Sequence, residues 1–217
     1  MLRDRLDAGA QLAERLARAA LRDPIVLGVP RGGVVVGYEI ARRLAAPLDV
    51  VIARKVGAPG EPEYGVGAVA EGGIVTIDEG RIRALGLSPD DLAPAVAREQ
   101  LELADRAARF RGERPPPDLR DRSAIVVDDG VATGGTVEAA LRVARARGPA
   151  TLVAAVGVAP REALPRLRAV ADSVEVVLTP RRLEAVGEWY ERFEPVGDGE
   201  VVQLLEAARS FVGPPAA

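Results

Sequence analysis

Residues 124–136 read Ala-Ile-Val-Val-Asp-Asp-Gly-Val-Ala-Thr-Gly-Gly-Thr. A buried strand runs into two carboxylates, then a Gly/Thr loop, then a helix start. Each part has a chemical use. Three glycines let main-chain N–H groups turn inward around an anion. The helix that follows adds free N–H groups and the positive end of its dipole. Thr133 and Thr136 add hydroxyl donors. Val131, Ala132, Thr133, Gly134, Gly135 and Thr136 therefore read as a phosphate cradle. Asp128 and Asp129 would repel a bare phosphate, so they are expected to face another part of the ligand. Neighbouring sugar hydroxyls donate well to carboxylates, and a phosphate beside a diol describes a ribose 5-phosphate. A Gly-rich turn with a solvated Asp pair is the competing reading. A Walker A loop would need Lys where Gly135 stands, and the G-x-G-x-x-G dinucleotide fingerprint is absent here.

Composition narrows the chemistry further. The 217 residues contain neither Cys nor His. Thiolate nucleophiles, disulfides, His bases and Cys or His metal ligands are excluded. Any metal must be a hard ion held by oxygens. The cations are 28 Arg and one Lys, Lys55, which draws attention to where that Lys sits. Net charge is −3, so no broad basic face and no nucleic-acid partner are expected. No apolar run reaches the ~18 residues of a membrane span. The N-terminus alternates charge with Leu and Ala, unlike a secretory signal. A cytoplasmic protein with no membrane partner is the expectation.

Alternating strands and helices must position these residues. Helices are predicted over 3–21, 34–44, 90–111, 136–147 and 161–170, the third opening at Ser88-Pro89. Continuously apolar runs at 25–29, 49–53, 124–127, 152–158 and 174–178 read as strands buried on both faces. The pattern predicts an α/β fold, a parallel sheet with helices on both faces. Gly57 to Gly65 holds two Pro and three Gly and reads as an irregular loop. Residues 66–70 and 74–78 flank Glu71-Gly72-Gly73 as a hairpin. Ligands of such sheets bind outside the carboxyl ends of the strands. Pro30-Arg31-Gly32-Gly33, Arg54-Lys55 and residues 128–136 all fall at expected strand ends.

The segment 124–136 resembles, over all thirteen residues, the signature of the type I phosphoribosyltransferases. The resemblance implies that Asp128 and Asp129 bind the ribose hydroxyls of 5-phosphoribosyl 1-pyrophosphate (PRPP) and that 131–136 wraps its 5-phosphate. It implies Mg²⁺ as cofactor, carried by PRPP near Asp128 and Asp129. Arg31-Gly32-Gly33 matches the family's pyrophosphate loop, although a plain tight turn would look the same. The family often holds a non-proline cis peptide in that loop, which would fall at Arg31–Gly32. Arg54-Lys55-Val56-Gly57-Ala58-Pro59-Gly60 is similar to the adenine enzyme's strand end, before a mobile catalytic loop. Lys55 and Arg54, with Asp128 and Asp129, are the catalytic candidates. A compact ammonium can follow a moving pyrophosphate charge better than a fixed guanidinium fork. A solvated charge pair at a strand end is the bland alternative.

These features cover residues 24 to 178, and the whole chain is similar to bacterial phosphoribosyltransferases of no known acceptor. The resemblance implies a core over 1–178, an insertion at about 56–122 and a small hood over 179–217. The reaction it implies gives pyrophosphate and a phosphoribosylated nitrogenous base. Ala132 stands where hypoxanthine-guanine enzymes carry Asp, and their Ser-Tyr loop pair is missing. A 6-oxopurine acceptor is therefore disfavoured. Trp189 and Tyr190 of the hood, and Tyr64 with Glu63 of the loop, are the acceptor-side candidates. Trp189 and Phe193 would equally serve to pack the hood onto the core. The apolar residues of 90–111, Leu92, Val96, Leu101, Leu103 and Phe110, would cover the sheet or a second copy in a homodimer. Two rival functions remain: a PRPP- or nucleotide-binding regulator without turnover, and a hydrolase that passes PRPP to water.

Overall fold

The structure is a computed structural model that describes residues 1–132 and 134–212, the side chain of Glu63 excepted. It opens with α1 (Arg5–Leu16), capped by Asp4, whose carboxylate accepts from the Asp7 N–H. Ala8, Leu12, Ala13 and Leu16 form its buried face. The helix stops short of the predicted end at residue 21, and Asp23 turns the chain with a positive φ of 40°. β1 (Ile25–Gly28) leads into α2 (Gly32–Leu44), which ends on Ala45 in the left-handed region. β2 (Leu48–Val50) follows. The insertion comes next: β3 (Ala53–Ala58), β4 (Glu61–Ala70), β5 (Val75–Ile77), α3 (Glu79–Ala84) and α4 (Ala93–Arg111). The chain then returns through β6 (Ser123–Gly130), α5 (Gly135–Ala146), β7 (Thr151–Val158), α6 (Leu164–Arg168), β8 (Ser173–Leu178) and α7 (Asp198–Ala208).

β2, β1, β6, β7 and β8 lie in that order in one parallel sheet. Its two faces separate by the period of the strand. Ile25, Leu27, Val126, Leu152 and Ala154 pack towards α5 and α6. Val26, Ile125, Val127, Val153 and Ala155 pack towards α1 and α2. Burial on both faces is why these strands read as unbroken apolar runs. Each fully buried Leu or Ile among them contributes roughly 1.5–3 kcal/mol.

The expected strand at 49–53 does not exist as one element. β2 ends at Val50, and a separate strand starts at Ala53. Arg54 and Lys55 are therefore early residues of an antiparallel strand, not the carboxyl end of a core strand. The Gly/Pro segment is also ordered, as a β3–β4 hairpin turning at Pro59-Gly60. Gly57 makes this pairing feasible, because a Cβ there would sit 2.3 Å from the Pro62 carbonyl oxygen. β4 pairs with β5 as the predicted hairpin. α4 begins after a 3-10 turn at Pro89–Leu92, boxed by Ser88 and Asp91. Leu92, Leu103 and Phe110 are buried as expected, whereas Leu101 is 76% exposed. α7 was not predicted; its Val201 and Leu205 pack against α2 and α4. None of the helices is long and apolar enough to cross a membrane, among the described residues.

Candidate functional site

β1 and β6 are neighbours at the centre of the sheet, so the segments after them meet. They enclose a cleft of about 300 Å³, walled by 29–32, 128–132, 134–137 and Val186. Two helix starts line it. Arg31 at the head of α2 and Gly134 at the head of α5 provide no side-chain cap. At α2 the Gly33 and Val34 N–H groups donate to the Val29 and Arg31 carbonyl oxygens. At α5 the first-turn N–H groups have no hydrogen-bond partner among the described residues, and such groups can serve a ligand. Gly134 adopts a φ of +87°, which non-glycine residues rarely tolerate.

The close fit of these elements depends on missing side chains. A Cβ on Gly33 would lie 2.3 Å from the Val127 carbonyl oxygen, so this glycine sets how near α2 approaches β6. A Cβ on Gly32 would lie 1.9 Å from Asp129 Oδ2. Gly32 thus leaves room for the carboxylate as well as for a ligand. A cis peptide does occur in this turn, but at Pro30–Arg31, one residue before the expected Arg31–Gly32.

The two carboxylates have different surroundings. Burial, reinforced by the neighbouring charge of Asp129, pushes the Asp128 carboxyl well above the ordinary range. Its Oδ1 accepts from the Asp129 N–H at 2.9 Å. Asp129 receives a hydrogen bond from Arg5 Nε at 2.7 Å, and the same guanidinium donates to the Glu194 carbonyl and covers the Phe193 ring. Below the pair, the Tyr190 hydroxyl donates to the Asp129 carbonyl oxygen at 2.6 Å. That ring is buried, and burial with Asp129 nearby pushes its ionisation up. Gly157 makes this contact feasible: its Cβ would fall 2.1 Å from the hydroxyl.

The remaining candidates divide. Arg31 is half exposed at the cleft rim, 3.5 Å from Asp198 of α7. Val131, Ala132, Gly134, Gly135 and Thr136 line the cleft with Asp128 and Asp129; Thr133 lies outside the described residues. Arg54 turns to α4, pairing with Glu99 at 2.6 Å and Glu102 at 2.8 Å. Burial works against the charge of Glu99, yet hydrogen bonds from Arg54 and Arg98 hold its carboxyl below the ordinary range. Lys55 stretches over Gly65 and reaches cavities flanking Gly135 and Thr136. Tyr64 is exposed and lines one of these; the Glu63 side chain lies outside the described set. Trp189 is half-buried against the α1–α2 side of the core, and Tyr190 stacks with Phe193 at 5.0 Å. Among tail residues, Val186 is the one that walls the cleft.

Sequence reasoning missed Arg5. It lies 124 residues from its partner, on a helix whose pattern signals only packing. Asp129 and Arg5 approach because α1 lies across the sheet beside α2.

Comparison with known proteins agrees with this architecture. The phosphoribosyl transferase domain model matches residues 3–189. Two Mycobacterium tuberculosis proteins, Rv0571c and MT0597, both named only provisionally as phosphoribosyl transferases, are 42% identical over 205 residues. That match takes in 94% of this chain and 46% of theirs, so the chain spans about half the length of these curated relatives. The crystal structure of TT1426 from Thermus thermophilus is 46% identical, covers 98% of this chain and 99% of its own, and superposes with a TM-score of 0.89. AQ2163 from Aquifex aeolicus shares the fold at 14% identity, a TM-score of 0.50 and coverage of 94% and 85%. From α1 through the acid pair to Trp189, this is a chain of the phosphoribosyl transferase domain family.

Proposed function

We propose that the chain transfers the 5-phosphoribosyl group of PRPP to a nitrogenous acceptor, with release of pyrophosphate. The observation that carries this is one cleft in which two uncapped helix starts flank an acid pair. The start of α5 at one end, Arg31 at the other and a diol-seeking centre match the three parts of PRPP.

In the proposed reaction the bond from the anomeric carbon to the pyrophosphate oxygen breaks. A bond from that carbon to an acceptor nitrogen forms, and the nitrogen's proton passes to the released pyrophosphate or to water. The 131–136 loop and the first turn of α5 hold the 5-phosphate. Asp128 and Asp129 orient the ribose, the first accepting from its hydroxyls and the second kept in place by Arg5 and Tyr190. Arg31 and the start of α2 face the leaving pyrophosphate, with Lys55 at the flank. Catalysis of this kind rests on positioning and on preset charge.

Mg²⁺ fits this donor set as a substrate-borne ion. Asp128 and Asp129 are hard oxygen ligands, and no group of three ligating side chains exists among the described residues. An ion that keeps waters and shares one or two carboxylates with phosphate oxygens suits such a site. When bound it would neutralise charge on the pyrophosphate.

Pyrophosphate release from Mg·PRPP, alone and with a panel of purines, pyrimidines and related heterocycles, tests the proposal. Release that depends on one acceptor is the expected result. Acceptor-independent release would replace transfer with hydrolysis. A second reading, a PRPP- or nucleotide-binding regulator without turnover, is favoured by the engagement of Arg54 with Glu99 and Glu102. It predicts binding of Mg·PRPP with no release under any acceptor.

A further inference from the structure

Two distant parts of the chain close on Asp129. Residues 2–5 and 189–194 run side by side as a short parallel ladder: the Leu2 N–H donates to the Trp189 carbonyl, Glu191 to Leu2 and Arg192 to Arg3. Two side chains leave this ladder for the cleft. Tyr190 holds the Asp129 carbonyl oxygen, and Arg5 holds the Asp129 carboxylate.

Helix stability does not account for Arg5. It opens α1, where the helix dipole disfavours a cation. Its side chain is 11% exposed and that of Asp129 14%, so the bond between them is largely shielded from salt. Three contacts fix the guanidinium. Nε donates to Asp129 Oδ2 at 2.7 Å, Nη1 donates to the Glu194 carbonyl oxygen at 2.8 Å, and Cζ lies 3.8 Å from the centre of the Phe193 ring. Asp129 Oδ2 and Arg5 Nε both stand where a Gly32 side chain would be, 1.9 and 3.0 Å from a Cβ there. The pair therefore seats the carboxylate against the head of α2, on the wall of the cleft. A carboxylate already held in one orientation loses little freedom when a sugar hydroxyl binds it.

We propose that Arg5 is a positioning residue for the sugar. It sets Asp129 so that the cleft distinguishes a ribose phosphate from a 2-deoxyribose phosphate, and Phe193 steadies it from the tail. The inference rests on the reading of the acid pair as the diol site. It adds that selectivity for the sugar is controlled from outside the cleft, by the ladder between residues 2–5 and 189–194.

The test is calorimetric titration of the full chain with ribose 5-phosphate and with 2-deoxyribose 5-phosphate, in metal-free buffer. Both ligands carry the same charge, so the long-range effect of a lost cation cancels in the ratio of their affinities. The wild type should favour ribose 5-phosphate about tenfold, the worth of one hydrogen bond to a charged group. Arg5→Met keeps the stem and removes the donors; it should bring the two affinities to within about twofold of each other. Phe193→Leu should lower the preference about twofold, through the lost cation–π contact. Arg192→Gln opens the Arg192–Asp4 pair of the same ladder but removes no bond to Asp129, so it should leave the preference unchanged. A purely structural role for Arg5 predicts that both sugars weaken together and the ratio stays. If Arg5→Met does not fold, Arg5→Lys decides: an ammonium lacks the planar fork that spans Asp129 and Glu194, and the preference should fall about threefold. Equal binding of the two sugars by the wild type, or no binding of either, would overturn the reading of the acid pair and this inference with it. A wild-type preference that survives intact in the folded Arg5 variant, or that falls as far in Arg192→Gln, would overturn the inference alone.

Discussion

The cleft at the ends of β1 and β6 is walled largely by glycines and main chain, whereas the insertion meets the core through long charged side chains. In the cleft, loop glycines and the starts of α2 and α5 form most of the wall, and few side chains need to be held. Around the insertion, Arg54, Arg81, Arg111 and Arg142 reach across to carboxylates on other elements. Main-chain donors are placed by the sheet and tolerate no added atoms. Guanidinium donors tolerate small displacements but fail when a buried counter-charge is stranded. The two regions should therefore break in different ways.

The largest effect is expected at Arg111. Its side chain is 2% exposed and joins Asp49 at 2.9 Å, Glu71 and the Val50 carbonyl. Arg111→Leu strands two carboxylates between insertion and core. It should cost about 3–5 kcal/mol, the usual penalty for breaking a buried pair. Chemical denaturation reads this directly. A loss below about 1 kcal/mol would mean that the insertion is held by apolar packing instead.

Gly33→Ala comes next. The added methyl carbon would sit 2.3 Å from the Val127 oxygen, so α2 must retreat from β6. Overpacking of this sort costs about 1–3 kcal/mol. Gly65→Ala offers the contrast: its neighbour is the flexible Lys55 stem at 3.1 Å, which can move. The cleft variant should lose both stability and PRPP affinity, and the insertion variant little of either. Similar losses at both positions would dissolve the distinction between the regions.

Much of the cleft was legible before the fold was known. Residues 25–29 and 124–127 read as strands because burial on both faces removes every polar position. The loops after them read as sites because Gly and Asp have few structural reasons to follow such strands. The insertion was less legible. Arg54-Lys55 reads as a site pair from its likeness to the family's strand end, and the sequence gives no sign that Arg54 pairs with α4, 45 and 48 residues away. Local pattern carries no information about such pairings. The same holds for Arg5 and Asp129, and for Tyr190, an acceptor-side candidate whose hydroxyl supports the Asp129 carbonyl oxygen. α7 has a fainter signature, with Val201, Leu205 and Ala208 on one helical face. Its acidic first turn was the available signal.

A smaller effect is expected at Asp128. Burial raises the Asp128 carboxyl, so the folded state binds its proton more tightly than the unfolded chain does. The stability this costs is fully present above the folded value and vanishes as pH falls below the ordinary carboxylate range. Asp128→Asn should therefore raise the melting temperature near neutral pH, by about 2–4 °C for each kcal/mol relieved. The gain should disappear towards pH 3. A gain independent of pH would assign the effect to something other than charge. Smallest is Tyr190→Phe, which removes one hydrogen bond to the Asp129 carbonyl and should cost about 0.5–1.5 kcal/mol.

The most direct test of the acid pair's assignment is Mg·PRPP binding to the Asp128→Asn, Asp129→Asn double variant, measured by calorimetry beside the wild type. Circular dichroism would first establish that the variant is folded. The account predicts that the wild type binds and that the folded variant has lost the interaction. Equal affinity in the two proteins would contradict it, and would place any PRPP site away from the cleft between β1 and β6.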